Sequence, residues 1–411
     1  MEIRNREIMF RSDYASRSGH LVVGLMSGTS LDGVDATLVR ITTGAAGAVA
    51  SVELLDHVYI PYSDELRGMV AALCSIEKAR IDDLTYVHFG LSEWYASAVL
   101  QVLAKAGLEA SKVDAVSMHG QTVWHAPVPR DFPGPEGRLP VRATLQLGSA
   151  AVVRERTGIP VISDLRSRDM AAGGEGAPLA PYIDALLFGS PTEGRIVQNI
   201  GGIGNATVIP AGASTSEIVA FDTGPGNMVM DAVAFEVTKG AERFDPSGSI
   251  AARGRACEEM VAGLMRGDPY FARRPPKSTG REVYGAAFAA AFMAEAKRRG
   301  LSGEDALATA TAFTAESIAA AYRDFVLPTT GIGAVLACGG GALNPTLLGM
   351  IRARLPAGIR VSTTAEAGVP DQAREAMAFA LMGHESLMGR PSNLPAVTGA
   401  RRPVVLGSIT L

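Results

Sequence analysis

One pattern constrains this chain more than any other, and it occurs twice: an apolar strand, a tip of small polar residues, a second apolar strand. The first copy is GLMSGTSLDGVD, Gly24 to Asp35, preceded by LVVGLM and followed by DATLVRI. Its tip holds Ser27, Gly28, Thr29, Ser30, Asp32 and Gly33. Glycines let main chain approach an oxygen closely, and a hairpin tip of this kind presents amides and hydroxyls to a bound anion. Acidic side chains beside phosphate donors make sense when a divalent cation sits between them and the phosphate. The tip therefore reads as a nucleotide-phosphate hairpin; turn composition alone would equally permit an ordinary surface hairpin.

The second copy is RIVQNIGGIGNATVIP, Arg195 to Pro210, with Gly201, Gly202, Gly204 and Asn205 at its tip. A third glycine site, AVLACGGGALNP (Ala334 to Pro345), follows a strand and opens a helix, with Gly339, Gly340 and Gly341 between them. Its counterpart after the first hairpin is DAVSMHGQT, Asp114 to Thr122, a buried strand ending in a polar loop. Each half thus runs hairpin, later strand, functional loop, which suggests a cleft closing on ATP from both sides.

The length of 411 residues gives ample chain for two or three domains. Hydrophobic content of 47% with 19% charged residues is that of a globular protein. A net charge of −4, with no basic run interleaved with aromatics, argues against nucleic acid as a partner. No apolar stretch is long enough to span a bilayer. Cys74, Cys257 and Cys338 are far apart and lack metal-ligand spacing, which fits a reducing cytoplasm. Residues 1–20 carry Glu2, Glu7 and Asp13 and no apolar core, and read as a disordered extension rather than a transit peptide.

Strands and helices alternate throughout, so the class is α/β. Val52 to Ile60 reads as a strand, and Ser63-Asp64-Glu65 caps a helix towards Cys74. Leu84, Val87, Leu91, Tyr95, Ala98 and Val102 recur at helical spacing, with Gly107 as a stop. Pro127 to Pro140 has no period and reads as a surface loop, followed by a helix near Thr144 to Arg156 and a short strand at Val161-Ile162. Later come a strand from Glu217 to Asp222, helices at Met228 to Lys239, Glu304 to Phe325 and Asp371 to Met388, and strands at Ile332 to Ala337 and Ile359 to Thr363. The final VVLGSIT is placed back against the first domain.

Several side chains stand out, each with a plainer reading beside it. Asp222 ends a strand in FDTGPGN, where α/β sites gather; it is either a helix N-cap or a carboxylate held beside ligand. His119 is a packing residue or, with Gln121 and Thr122 next to it, a sugar-hydroxyl contact. Asp164, Arg166, Arg168 and Asp169 form either a solvated, self-paired loop or an arginine fork for carboxylate or phosphate. PPKSTGRE, Pro275 to Glu282, lacks the glycines of a P-loop, so Lys277 and Arg281 are a phosphate contact or a structured turn. Glu375 opens a helix, where the dipole favours an acid anyway.

Taken together, GLMSGTSLDGVD, HGQT, DLRSRDMAAGGEGAPL, NIGGIGN, FDTGPGNMVMD, PPKSTGRE, CGGGALNP, EAMAFA and SNLPAVTGA closely resemble the anhydro-N-acetylmuramic acid kinases, from about Leu21 to the C-terminus. The resemblance implies two ribonuclease-H-like lobes with an ATP cleft between them, the actin/hexokinase-like ATPase fold. The expected lobes are residues 21–171 with 391–411, and 172–390. It implies that Gly28, Thr29, Ser30, Leu31, Asp32, Gly33, Val34 and Asp35 form the ATP phosphate site and Gly339 to Gly341 the adenosine-side loop. Gly201, Gly202, Gly204 and Asn205 join the ATP site as the second hairpin. Asp222 matches the catalytic base and Glu375 an acid facing the sugar, with Ser27, His119, Arg166 and Arg168 as sugar contacts. The implied reaction opens a 1,6-anhydro ring and phosphorylates the freed 6-oxygen with ATP and magnesium, in a cytoplasmic homodimer that recycles cell-wall fragments. The magnesium ligands are not assigned. Glu175 stands where the family usually has Gln, Leu165 and Ser167 replace Phe and Arg, and levoglucosan kinases share most of these motifs. An ordinary sugar kinase or a non-catalytic ATP-binding protein of the same fold are the alternatives.

Overall fold

The computed structural model describes residues 2–44 and 47–411; Met1, Ala45 and Ala46 lie outside the described residues. Its strands in chain order are β1 (Gly19–Ser27), β2 (Gly33–Thr43), β3 (Val49–Pro61), β4 (Ala115–Gly134), β5 (Gly137–Leu147) and β6 (Val161–Ser163). They continue with β7 (Arg195–Ile200), β8 (Ile203–Ile209), β9 (Val219–Pro225), β10 (Ala334–Cys338), β11 (Arg360–Thr363) and β12 (Ser408–Thr410).

The chain divides into two units, Met1–Leu187 with Gln372–Leu411, and Phe188–Asp371. The first holds the sheet β12-β6-β4-β1-β2-β3 with β5 on β4, and the second the sheet β11-β10-β7-β8-β9. The internal duplication seen in the sequence is a duplication of topology. In the first unit β1, β2 and β3 form an antiparallel meander, and β4 and then β6 run parallel beside β1. In the second, β7, β8 and β9 repeat the meander, and β10 and then β11 run parallel beside β7. Hairpins need only short tips, whereas a parallel neighbour needs a long crossover. The helix Ile81–Lys105 lies in the crossover from β3 to β4, and Gly303–Phe325 in that from β9 to β10. Both sheets have the ribonuclease-H-like order.

Each unit has its own core. Val87, Leu91, Tyr95, Ala98 and Val102 of the first crossover helix pack on Val23, Leu25, Val34 and Val116. The helix Gly303–Phe325 is buried on almost every face, and its alanines and Phe313 pack among Ile196, Phe221 and Val335. β12 pairs with β6, which brings the C-terminus back to the first sheet as its sequence suggested.

Four expectations need correction. The N-terminal extension is a helix, Glu2–Ser16, not disordered chain. Its Tyr14 is wholly buried, with the ring stacked 4.1 Å from His20 and the hydroxyl 2.7 Å from His384 Nδ1. The Pro127 to Pro140 stretch is not a loop but the two-stranded ribbon of β4 and β5, and helix begins only at Ala150. Prolines survive there because the ribbon is largely exposed and its register shifts between Ala126 and Arg130, where ladder donors are not required. HGQT likewise lies inside β4 and not in a loop, with Gly120 at φ +79° marking an irregularity within the strand.

The unit boundaries also differ from the expected lobes. Residues 172–187 and the helix Asp371–Leu387, from Gln372 onward, belong to the first unit. That helix crosses β1 where Gly24 leaves a notch: a Cβ on Gly24 would lie 1.9 Å from the Ala376 carbonyl oxygen. A Cβ on Gly383 would in turn meet Ser117 of β4 at 2.4 Å. No helix among the described residues is long and apolar enough to cross a membrane.

Candidate active site

In the first unit the hairpin tip joins β1 and β2, whose last register pair is Met26 with Asp35. Leu31, at φ +57°, and a bond from its amide to the Gly28 carbonyl close the turn. Thr29, Ser30 and Asp32 are exposed, and among the described residues the Thr29 and Ser30 amides have no acceptor. The Ser30 hydroxyl donates to Asp32 Oδ1 at 2.6 Å. Exposed amides and a hydroxyl on a turn fixed from behind form a place for an anion. The fixing comes from Gln121, whose Nε2 donates to the Gly28 carbonyl at 3.0 Å, and from Tyr62, whose hydroxyl donates to Ser27 Oγ at 2.9 Å.

The other expected residues of this hairpin serve different ends. Val34 is wholly buried in the first core, so its side chain packs rather than faces solvent. Leu31 packs partly on the same core. Asp35 Oδ1 lies 2.9 Å from His57 Nε2, a partner the sequence did not suggest. Ser27 is buried and engaged with Tyr62.

Nearby in the same unit stand His119, Arg166 and Glu375. The Arg166 Nε donates to His119 Nε2 at 2.9 Å, and its Nη1 donates to the Gly176 carbonyl at 2.7 Å. Burial, with the Arg166 charge added, pushes the His119 imidazole down to about 3, so it is neutral and its Nε2 is an acceptor. Glu375 keeps a solvent-facing surface, yet partial desolvation raises its carboxyl above the ordinary value. Arg374 and Arg166 counter that rise, and Asp35 and Asp32 add to it, so Glu375 shares the field of the hairpin acids and Arg166. Arg168 is exposed and takes no part in this group.

In the second unit the β7–β8 tip is bonded to the helix that follows β9. The Gly202 carbonyl accepts from the Gly226 amide and the Gly201 carbonyl from the Asn227 amide, at 2.9 and 2.7 Å. The tip amides of Gly201 and Gly202 are left, among the described residues, without acceptors. Gly204 lies deeper: a Cβ there would meet Thr223 Oγ1 at 2.7 Å. The Gly339 to Gly341 loop packs on the end of β7. A Cβ on Gly339 would lie 2.5 Å from Asn199 Oδ1, and one on Gly341 would lie 2.3 Å from Ile200 and 2.8 Å from Asn227 Oδ1. Asn227, which donates to the Ile200 carbonyl at 3.1 Å, ties tip, loop and helix together.

Asp222 lies on β9 opposite Asn205 of β8. Its Oδ2 accepts from the Thr279 amide at 3.0 Å, and among the described residues no donor reaches Oδ1. Burial raises its pKa above the ordinary value, with the Thr279 bond partly opposing. It is a partly buried carboxylate with one free oxygen, which suits proton acceptance. Lys277 resolves to the plainer reading. It is buried over the rings of Tyr270 and Phe325 at 4.6 and 4.7 Å, and its Nζ donates to the Tyr270 and Phe271 carbonyls. The PPKSTGRE turn therefore carries Asp222's partner, Thr279, rather than a phosphate lysine.

Sequence reasoning missed Gln121, Tyr62 and Thr279 as supports. Gln121 and Thr279 sit inside motifs already singled out, so the signal was there; Tyr62 has none.

Two units of ribonuclease-H-like topology, each with a glycine hairpin tip, give the chain the actin/hexokinase-like fold. A family profile described as anhydro-N-acetylmuramic acid kinase matches residues 20–411. The chain is 43% identical over 396 residues to the anhydro-N-acetylmuramic acid kinase of Caldanaerobacter subterraneus subsp. tengcongensis, covering 96% of this chain and 98% of that one. To the enzyme of the same name from Salinibacter ruber it is 43% identical over 395 residues, 96% and 97% of the two chains. Among solved structures, component A of the Acidaminococcus fermentans (R)-2-hydroxyglutaryl-CoA dehydratase aligns with a TM-score of 0.41 at 11% identity, over 90% of this chain and 99% of that one. The ROK hexokinase of Thermus thermophilus aligns with 0.36 at 15%, over 88% and 97%. The chain belongs to the anhydro-N-acetylmuramic acid kinase family.

Proposed function

We propose that the chain converts anhydro-N-acetylmuramic acid, water and ATP into N-acetylmuramic acid 6-phosphate and ADP. The observation that carries this reading is the free, partly desolvated carboxylate of Asp222 in a chain whose two units each present an amide-lined hairpin tip. Water attacks the anomeric carbon while Asp222 takes its proton, and the bond from that carbon to the 6-oxygen breaks. Neutral water is too weak a nucleophile without that base. The departing 6-oxygen gains negative charge and attacks the γ-phosphorus, and the bond to the β-phosphate oxygen breaks. No separate acid is needed for the leaving oxygen. Glu375, His119 and Arg166 serve the sugar, whereas Arg168 is exposed outside that group and Ser27, bonded to Tyr62, supports the hairpin tip. The tips at Gly28 to Asp35 and Gly201 to Asn205, with the Gly339 to Gly341 loop, serve ATP.

Magnesium fits the residues present. Among the described residues no three acids, histidines or cysteines converge, and a magnesium ion shared with phosphate takes one or two carboxylates with water completing its shell. Asp32, exposed at the tip with its Oδ1 bonded to Ser30, would hold it. When bound, the ion neutralises charge on the triphosphate. The reading extends to a cytoplasmic homodimer in cell-wall recycling, with neither nucleic acid nor membrane as partner.

The competing substrate is levoglucosan, which lacks the N-acetyl group and the lactyl carboxylate. Glu175, the residue that most favours a neutral sugar, is exposed, and its charge acts on His125. The expected result is a kcat/KM about tenfold or more higher for the muramic sugar than for levoglucosan, about 1.4 kcal/mol in transition-state binding. Steady-state kinetics on both sugars test it; equal values, or a preference for levoglucosan, would overturn the substrate while leaving the kinase.

A further inference from the structure

The Arg166 guanidinium is partly buried, enough for desolvation to pull its pKa below the ordinary value, and both of its hydrogen bonds go to neutral acceptors, His119 Nε2 and the Gly176 carbonyl. Among the described residues no carboxylate reaches ion-pair distance; Glu375 acts on it only through its field. A desolvated cation without a counter-ion is costly to a fold, and such groups mark places where an anion is received.

Both neutral partners are themselves held. His119 is buried against the Phe379 ring at 4.6 Å. It is kept neutral, so its lone pair stays turned to Arg166 across the physiological range. Gly176, at φ +73°, donates its amide to Asp169 Oδ2 at 2.8 Å. Asp169 is wholly buried, and its other oxygen accepts from Asn393 Nδ2 and Thr398 Oγ1, each at 2.7 Å. Asn393 and Thr398 belong to SNLPAVTGA, so that C-terminal motif reaches the Arg166 loop through one buried carboxylate. Arg168, two residues on, has no such frame.

We propose that Arg166 is the specificity residue for a carboxylate borne by the sugar, and that His119 and Asp169 are positioning residues that aim its guanidinium. The proposal rests on the anhydro-sugar kinase reading and adds what selects the acidic sugar over a neutral one. Nε and Nη1 are spent on the frame, which leaves the Nη2 donors for the anion. A nucleotide phosphate offers the same chemistry, so the test separates the two.

Wild type, Arg166→Met, Arg166→Lys, His119→Phe and His119→Gln are assayed with ATP on anhydro-N-acetylmuramic acid and on 1,6-anhydro-N-acetylglucosamine, which lacks the lactyl ether. Thermal unfolding confirms that each variant is folded. Arg166→Met is expected to lower the ratio of kcat/KM for the acidic over the neutral sugar by about tenfold or more, carried mainly by KM. His119→Phe lowers the ratio in the same direction, and His119→Gln, which keeps an acceptor, retains more of it. Arg166→Lys keeps the charge without the fork and falls between wild type and Arg166→Met. Parallel losses on both sugars would reduce these residues to structural ones and overturn the proposal. A raised KM for ATP with an unchanged ratio would assign the guanidinium to phosphate and overturn it equally. If wild type turns over neither sugar, the kinase reading itself fails, a result seen before any variant is compared.

Discussion

Asp222→Asn will retain ATP binding and a normal fold while its turnover drops by about two to four powers of ten, the usual range for a lost general base. The amide is the same size, and its oxygen can still accept from the Thr279 amide, so the geometry around β9 is preserved. What disappears is the ability of the second oxygen to take a proton from water. The pH profile supplies an independent check. A base acts only when ionised, so kcat/KM falls as pH drops through its pKa. Burial holds Asp222 above the ordinary 3.8, and the acid limb of the wild-type profile should lie correspondingly above that value. Near-normal turnover in the variant would remove Asp222 from the role.

Gly24→Ala will destabilise the first unit by about 3 kcal/mol, at the upper end for overpacking. The new methyl group would sit 1.9 Å from the Ala376 carbonyl oxygen and 2.7 Å from the Ala380 amide nitrogen. Both are helix main chain and cannot rotate away, so the helix must lift from β1 and carry Glu375 with it. Activity should fall together with the unfolding temperature. Gly68→Ala is the control: it lies in the helix Asp64–Leu73 with nothing within 4 Å of its new Cβ, and should stabilise by about 0.5–1 kcal/mol. Differential scanning calorimetry on the pair measures both signs. An unchanged transition for Gly24→Ala would mean that the helix does not rest in the Gly24 notch.

The two hairpins were legible in the sequence as structure because a tip of small residues between apolar strands carries its fold signal locally. Asp222 drew notice as a strand-end residue before glycines, yet it lies inside β9, three residues before Pro225, and its partner Thr279 comes from a distant segment. The rest depends on partners distant in sequence. Arg166 and Arg168 look alike in DLRSRD, and only His119 and Gly176 distinguish the inward one. Asp169, in the same run, reads as solvated charge until Asn393 and Thr398 arrive from more than two hundred residues away. Lys277 looks like a phosphate ligand because its carbonyl and ring partners leave no trace in its own motif. The Asp371–Leu387 helix was placed in the wrong half because its attachment is written in Gly24 and Gly383, as absent side chains rather than present ones. The N-terminal helix escaped notice since its burial comes mainly from one residue, Tyr14, and not from an apolar stripe.

The central claim is that ring opening by water and phosphoryl transfer occur in one reaction, and the mass of the sugar product tests it most directly. Incubation with ATP, magnesium and anhydro-N-acetylmuramic acid should give a product heavier than the substrate by one phosphoryl group and one water. In oxygen-18 water, at early times, the label should lie on the anomeric oxygen and not on the phosphate ester. A product heavier by the phosphoryl group alone, with the anhydro ring intact, would contradict the account.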